Sequence, residues 1–207
     1  MATPYRCVYD LIITRLEPNS LCPSIFYKMK IYLAGPDVFE PNALARGEEL
    51  KNLCKKHGAQ GLFPLDNSIQ SAEIGSIAHA RAIRDANMVL IESCDAILAN
   101  MTPFRGPSMD VGTAYEMGAG AALGKVVVGY TKNVKTYVEK VKDVHRVERA
   151  QDGHLRDENA MSVEEFADAG TGLVDNLMIS CGIEQLCVSE EEALLVVIKA
   201  LKGKHTS

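Results

Sequence analysis

The chain has 207 residues, a net charge of −5 and a pI of about 5.6, which suggests one domain with appendages. It contains no cluster of lysine and arginine interleaved with aromatic residues, so a nucleic-acid partner is disfavoured. No apolar run reaches the roughly 18 residues that span a bilayer, so we expect no membrane partner, and small molecules remain as ligands.

The six cysteines and five histidines form neither a Cys-x-x-Cys pair nor a metal-ligand spacing. This pattern predicts a reduced, cytoplasmic protein without a bound metal. Residues 1–28 lack the basic start and the long apolar stretch of a secretory signal. We predict that residues 1–28 are a disordered extension and that residues 29–207 form the folded domain.

The first strand of the predicted core begins at Lys30 and runs into a Gly-Pro turn at Gly35. A loop that follows a parallel strand lines the ligand crevice of an open sheet, so Gly35 and Asp37 are candidate substrate-binding residues. The loop carries Asp37 and Glu40 and lacks the repeated glycines of a dinucleotide fingerprint. It therefore predicts no phosphate-bearing cofactor.

Two further candidates come after the predicted helix at residues 43–57. Asp66 lies at the exit of a strand at residues 61–67, where an Asp-Asn pair is also common turn chemistry. Asn87 interrupts the apolar stripe of a helix at residues 77–94. A buried asparagine needs partners for its amide, so Asn87 is either a satisfied core residue or one that faces a pocket.

Residues 110–120 (DVGTAYEMGAG) are the segment around which the rest of the chain is organised. They follow a strand at residues 95–100 and a turn-rich loop, and Asp110 suits a helix N-cap. The helical spacing predicts one buried stripe, made of Val111, Tyr115, Gly118 and Ala122. Glu116 lies off that stripe.

The neighbours of Glu116 on the helix surface are small: Gly112, Thr113, Ala119 and Gly120. A carboxylate in the middle of a helix usually has a basic residue or a long side chain at that spacing. Here the surroundings are reduced to backbone and methyl groups, which leaves room for a ligand. The alternative is a helix that packs through its glycines and alanines and carries a solvated glutamate.

The remaining elements complete a repeating pattern. A continuous apolar strand at residues 124–131 precedes a charged segment at residues 132–172, which we read as a short helix plus a mobile excursion. A last strand at residues 181–188 leads into a helix that starts with a capping box at Ser189 and Glu192. The alternation predicts a doubly wound α/β sheet of about five parallel strands.

Five segments in chain order carry a family resemblance: residues 32–39 (YLAGPDVF), 64–67 (PLDN), 104–106 (FRG), 110–118 (DVGTAYEMG) and 176–178 (NLM). With these motifs the chain resembles the nucleoside 2-deoxyribosyltransferases. The resemblance implies a flavodoxin-like five-stranded parallel sheet with helices on both faces. It also implies a homo-oligomer that exchanges one nucleobase for another on 2'-deoxyribose, so deoxynucleosides and free nucleobases are the expected partners.

The resemblance also implies roles for single residues. Glu116 matches the family's nucleophilic glutamate, and Asp110 matches an aspartate that orients the substrate. Tyr32 falls near the aromatic position of the first strand. Asn176 and Met178 match a pair that a neighbouring subunit places over the deoxyribose. A carboxylate at the anomeric carbon can form a covalent glycosyl ester and release it to a second base with net retention, without a metal.

The chain departs from the family pattern at Asn87, where many members carry an acid near the base. An asparagine can bind a base edge but cannot protonate it. Asp110, Asp66 or Asp37 would then have to supply the proton that the leaving base needs.

Three other readings stay open. A 2'-deoxynucleoside 5'-monophosphate N-glycosidase would use the same nucleophile with water; Asp37 disfavours its phosphate, whereas Arg105 and Ser108 favour it. The segment Gly112-Thr113-x-x-Glu116 resembles phosphoribohydrolases that act on cytokinin nucleotides, but the preceding Pro-Gly-Gly is absent. The third reading is a non-catalytic nucleoside-binding module.

Overall fold

The computed structural model describes residues 29–67, 73–168 and 171–204, so the predicted extension at residues 1–28 lies outside the described part. The central element is a five-stranded parallel sheet. Its strands are β1 (Lys30–Ala34), β2 (Gln60–Leu62), β3 (Ala96–Asn100), β4 (Val126–Tyr130) and β9 (Leu186–Cys187). They lie side by side in the order β2-β1-β3-β4-β9. The last strand is shorter than the sequence predicts.

Helices cover both faces of the sheet. They are α1 (Ala43–Lys56), α2 (Ile77–Ser93), α3 (Val111–Ala122), α4 (Tyr137–Lys142), α5 (Leu177–Ser180) and α6 (Glu190–Lys204). Short 3-10 turns at Pro36–Phe39 and Pro64–Asp66 follow β1 and β2. This arrangement is the predicted doubly wound α/β fold. None of the described helices is long and apolar enough to cross a membrane.

The alternation of side chains along β1 divides the core into two halves. Ile31 and Leu33 point into the cluster that holds α1 and α6, whereas Tyr32 packs with residues of α2 and α3. Successive side chains of a strand point to opposite faces, so one register decides the side on which Tyr32 lies. Tyr32 is therefore directed toward the helix that carries Glu116.

The predicted buried stripe of α3 is wrong. Val111 is 84% and Tyr115 57% exposed, and the residues that face the sheet are Thr113, Met117 and Gly120. A Cβ atom at Gly120 would collide with the side chain of Ile97 on β3. Gly120 thus lets the helix lie close against the sheet, whereas Val111 and Tyr115 turn outward.

The segment at residues 132–172 contains more regular structure than its sequence suggests. The short helix is present as α4. It is followed by two antiparallel pairs, β5 (Val147–Arg149) with β6 (Leu155–Asp157) and β7 (Ala167–Asp168) with β8 (Thr171–Gly172). Strands of two or three residues are too short to leave an alternating pattern, so the sequence does not reveal them.

Candidate active site

Glu116 and Tyr32 form the centre of the candidate site. Tyr32 is fully buried on β1, and its hydroxyl donates a hydrogen bond of 2.6 Å to Glu116 Oε1. Among the described residues no lysine or arginine pairs with Glu116, and none donates a hydrogen bond to its Oε2. The carboxylate is thus held by one neutral donor and keeps one oxygen available for a ligand.

Burial controls the ionisation of this pair. It raises the pKa of Glu116 to about 7, and the charge of Asp110 adds to the effect, whereas the Tyr32 hydrogen bond opposes it. Burial and the neighbouring Glu116 raise the pKa of Tyr32 far above its ordinary value. Tyr32 therefore stays a neutral donor at neutral pH, while Glu116 can exist in both protonation states.

Asp110 is the N-cap of α3, as the sequence predicts. Its Oδ2 accepts from the Thr113 backbone N–H at 2.8 Å and from Thr113 Oγ1 at 3.0 Å. These bonds satisfy the first turn of the helix and fix the carboxylate beside the charge of Glu116. Oδ1 accepts no hydrogen bond from the described residues, so this oxygen can serve a substrate.

Gly35 and Asp37 lie at the end of β1 in a tightly packed, charge-compensated cluster. Asp37 is 3% exposed and accepts from Arg46 Nε at 2.9 Å and from Asn100 Nδ2 at 3.0 Å. A Cβ at Gly35 would collide with Asp37 and come within 2.8 Å of Asn100 Cβ, which explains the glycine. Arg46 pairs with Asp37 but also with Glu190 at 3.0 Å and Glu49 at 3.5 Å, so the expectation that this loop disfavours a phosphate remains a prediction.

Asp66 is engaged within the protein. Its Oδ1 accepts from Lys51 Nζ at 2.6 Å, and its Oδ2 accepts from the Phe63 backbone N–H at 3.0 Å. This is the turn chemistry that the sequence left open. A role for Asp66 in substrate binding remains a prediction.

Asn87 presents the opposite case. Its Oδ1 is buried and has no hydrogen-bond partner in the described part of the chain, and the same is true of Asn67 Nδ2. Buried polar atoms are nearly always satisfied, so an orphaned amide needs an explanation. A residue that faces a ligand site accounts for Asn87 better than a satisfied core residue does.

Asn176 and Met178 lie at the start of α5. Asn176 Oδ1 caps the helix by accepting from the Met178 backbone N–H at 3.0 Å, and its Nδ2 donates to Glu164 Oε1 at 2.6 Å. The side chain of Met178 is 77% exposed. No hydrogen bond among the described residues joins Asn176 to Glu116, so the proposed delivery to a neighbouring site remains a prediction.

Comparison with known proteins decides the family. A family model described as nucleoside 2-deoxyribosyltransferase matches residues 31–178, a range that contains every site residue predicted from the sequence. The chain belongs to the nucleoside 2-deoxyribosyltransferase family. An uncharacterised protein of Schizosaccharomyces pombe is 32% identical over 195 residues, which cover 86% of this chain and 90% of that protein.

Solved structures agree with this membership. A 2-desoxiribosyltransferase from Leishmania mexicana is 34% identical with a TM-score of 0.63, covering 83% of this chain and 97% of that chain. A conserved protein from Enterococcus faecalis V583 is 20% identical with a TM-score of 0.52, and the match covers 84% of this chain and 99% of that chain. At this identity the similarity supports the fold alone. The resemblance and the flavodoxin-like fold predicted from the sequence are confirmed.

The sequence reasoning missed an aromatic pair that two of the family segments form with each other. Phe39 and Phe104 stack with ring centroids 5.2 Å apart, and the Arg105 guanidinium lies 5.2 and 4.6 Å from the two centroids. The available signal was one phenylalanine in each loop after β1 and β3, which are adjacent strands. Among the described residues no group of three or more His, Cys, Asp or Glu side chains could hold a metal.

Proposed function

We propose that this family member transfers 2-deoxyribose between nucleobases by double displacement, with Glu116 as the nucleophile. The observation that carries the proposal is a half-buried carboxylate held by one neutral donor, Tyr32, at 2.6 Å and compensated by no cation among the described residues. A structural carboxylate in such a place would normally be neutralised. One that must attack a sugar has to remain available.

The reaction has two balanced steps. Ionised Glu116 attacks C1' of a deoxynucleoside, the glycosidic C–N bond breaks, and the base leaves with the bonding pair and takes up a proton. A nitrogen of the second base then attacks C1' and loses a proton, the ester bond breaks, and the carboxylate is regenerated. Two inversions give net retention. Tyr32 keeps Oε1 in place throughout.

Asp110 is the best candidate for handling the proton. Of the three aspartates considered from the sequence, Asp37 and Asp66 have both carboxylate oxygens engaged by protein donors. Asp110 keeps Oδ1 available and is close enough to raise the pKa of Glu116. Asn87, whose amide oxygen is unsatisfied, would then bind the base edge without transferring a proton.

The substrates on this proposal are deoxynucleosides and free nucleobases, and no cofactor or metal takes part. We further propose a homo-oligomer in which Asn176 and Met178 of one subunit complete the site of the next. The strong exposure of Met178 and the outward turn of Val111 and Tyr115 support this arrangement.

Mixing Glu116→Ala chains with Asn176→Ala chains should restore part of the activity. Failure of the mixture to recover would place Asn176 in the site of its own subunit.

The activity is tested by incubating the protein with a deoxynucleoside, with and without a second free base. Formation of the second nucleoside supports the proposal, whereas release of free deoxyribose alone indicates a hydrolase. Measurable binding without turnover would indicate a nucleoside-binding module. Glu92→Gln on the exposed face of α2 is the matched control for Glu116→Gln.

A 2'-deoxynucleoside 5'-monophosphate N-glycosidase is the second candidate. It is favoured by the exposed cation of Arg105 beside the aromatic pair. Comparing kcat/KM for a deoxynucleoside and for its 5'-monophosphate, each with a second free base present, separates the two functions. If the monophosphate is preferred, no second nucleotide forms, and Arg105→Ala removes that preference, the hydrolase replaces the transferase.

A further inference from the structure

A buried carboxylate outside the nucleophile pair joins two segments of the candidate site. Asp175 is 1% exposed. It accepts a hydrogen bond from Ser108 Oγ, one of 2.9 Å from the Met109 backbone N–H, and one of 2.8 Å from the Asn176 backbone N–H. The ammonium group of Lys140, itself buried, lies 3.7 Å from Asp175 Oδ2.

The donors belong to two different elements. Ser108 and Met109 end the loop that enters α3, directly before the cap Asp110. Asn176 caps α5, which carries Met178. One oxygen, Oδ2, accepts from the loop, and the other, Oδ1, accepts from both the loop and the Asn176 backbone. Any shift of one segment must therefore move the other or break a bond to a buried charge.

We propose that Asp175 is a positioning residue that holds the loop ending in Ser108 and Met109 and the Asn176–Met178 segment in one common geometry. The inference rests on the proposed function for the roles of Asp110, Asn176 and Met178. It extends that function because each subunit then aligns its own nucleophile helix and the segment it delivers to a neighbour through the same carboxylate.

The charge balance shows how to test this without losing the fold. Burial lowers the pKa of Lys140, and Asp175 opposes that change. Asp175→Asn keeps the shape of the side chain but offers an N–H group where one of the donors needs an acceptor. It also leaves the Lys140 ammonium without its counter-charge, which costs stability. The double variant Asp175→Asn/Lys140→Met removes the unpaired buried ammonium group, but it still lacks the carboxylate that holds the two segments together.

Kinetics separate positioning from mere stabilisation. Ser108→Ala removes a contact on the loop side only and should lower kcat with little change in KM. Glu164→Gln weakens the hold on Asn176 and should raise KM with little change in kcat. Asp175→Asn should change both and lower kcat/KM on the order of 10²-fold, the usual cost of a misplacement near 1 Å. The Asp175→Asn/Lys140→Met variant should regain thermal stability and keep the kinetic defect.

Amide hydrogen exchange provides a readout that needs no activity. Both the Met109 and Asn176 amides should exchange slowly in the wild-type protein, and both should exchange faster in Asp175→Ala. If the double variant has kcat and KM within twofold of wild type, Asp175 is only a structural residue and the inference is overturned. If the wild-type protein turns over no deoxynucleoside, the proposed function fails, and unchanged exchange at Met109 and Asn176 would then overturn the positioning role separately.

Discussion

Two carboxylates of this molecule are buried near the same strand and are treated in opposite ways. Asp37, just after β1, is neutralised by Arg46 and held by Asn100. Glu116, over β1 on the other face of the sheet, is held by the neutral hydroxyl of Tyr32 and has a pKa raised to about 7. The first arrangement removes reactivity and stabilises a turn. The second leaves a basic carboxylate without a compensating cation among the described residues, at the expense of stability.

The largest expected effect is on turnover at the uncompensated site. Glu116→Gln removes the nucleophile but no core volume, so activity should fall by at least about 10³-fold while the fold is retained. Initial transfer rates and thermal unfolding measure the two quantities. Retention of more than a few per cent of wild-type activity, with Glu92→Gln as control, would rule out the nucleophile.

Substitution of Asp37 should instead lower the stability of the folded protein. Asp37→Ala removes one counter-charge of the mostly buried Arg46 guanidinium, which keeps Glu190 at 3.0 Å, and leaves the Asn100 amide without its acceptor, so it should destabilise the protein by about 1 to 3 kcal/mol. Denaturant unfolding measures the loss. Turnover well below the unfolding temperature should decrease far less than in Glu116→Gln. An Asp37→Ala protein that is stable but inactive would instead make Asp37 part of the chemistry.

The pH dependence of stability should distinguish the two carboxylates. The pKa of Glu116 is raised in the folded state, so its stabilising contribution is present below about pH 4.5 and is lost as the pH rises through about 7. The shift corresponds to up to about 3 kcal/mol. Wild type should therefore lose stability relative to Glu116→Gln between pH 5 and pH 8 in urea unfolding. Equal pH profiles for the two proteins would contradict the raised pKa.

The smallest effect is expected for substitution of Tyr32, which donates the hydrogen bond to Glu116. Tyr32→Phe removes the hydrogen bond that favours the ionised carboxylate, so the pKa of Glu116 should rise further. The acid limb of the pH–rate profile should move to higher pH, and the rate at pH 7 should fall by about 10- to 100-fold. A rate that drops equally at all pH values would mean that Tyr32 orients Glu116 without tuning it.

The comparison also shows how far sequence reasoning reaches. The continuous apolar strands and the Asp110 cap are local patterns, and the structure contains both. The buried stripe of α3 was wrong because helical spacing identifies a periodic set without saying which face meets the sheet. That choice depends on Gly120, which allows a close approach to Ile97.

Hydrogen-bond and ion-pair partners that are distant in the chain could not be predicted from the sequence either. Tyr32 is 84 residues from Glu116, and Arg46 neutralises an aspartate that the sequence presented as an open charge. Asp175 gave no signal at all, since an aspartate before an asparagine is ordinary turn chemistry. Its role depends on a loop and a lysine that only the fold brings to it.

The sequence by itself determined the alternation of parallel strands and helices in the main sheet, the helix that carries Glu116, and the family to which the chain belongs. These follow from periodicity, caps and motifs, which act over a few residues. Only the tertiary structure decided which carboxylates are compensated. Compensation depends on which donors the fold brings within about 3 Å of a carboxylate oxygen. The degree of burial then determines how much free energy a carboxylate without such a partner costs.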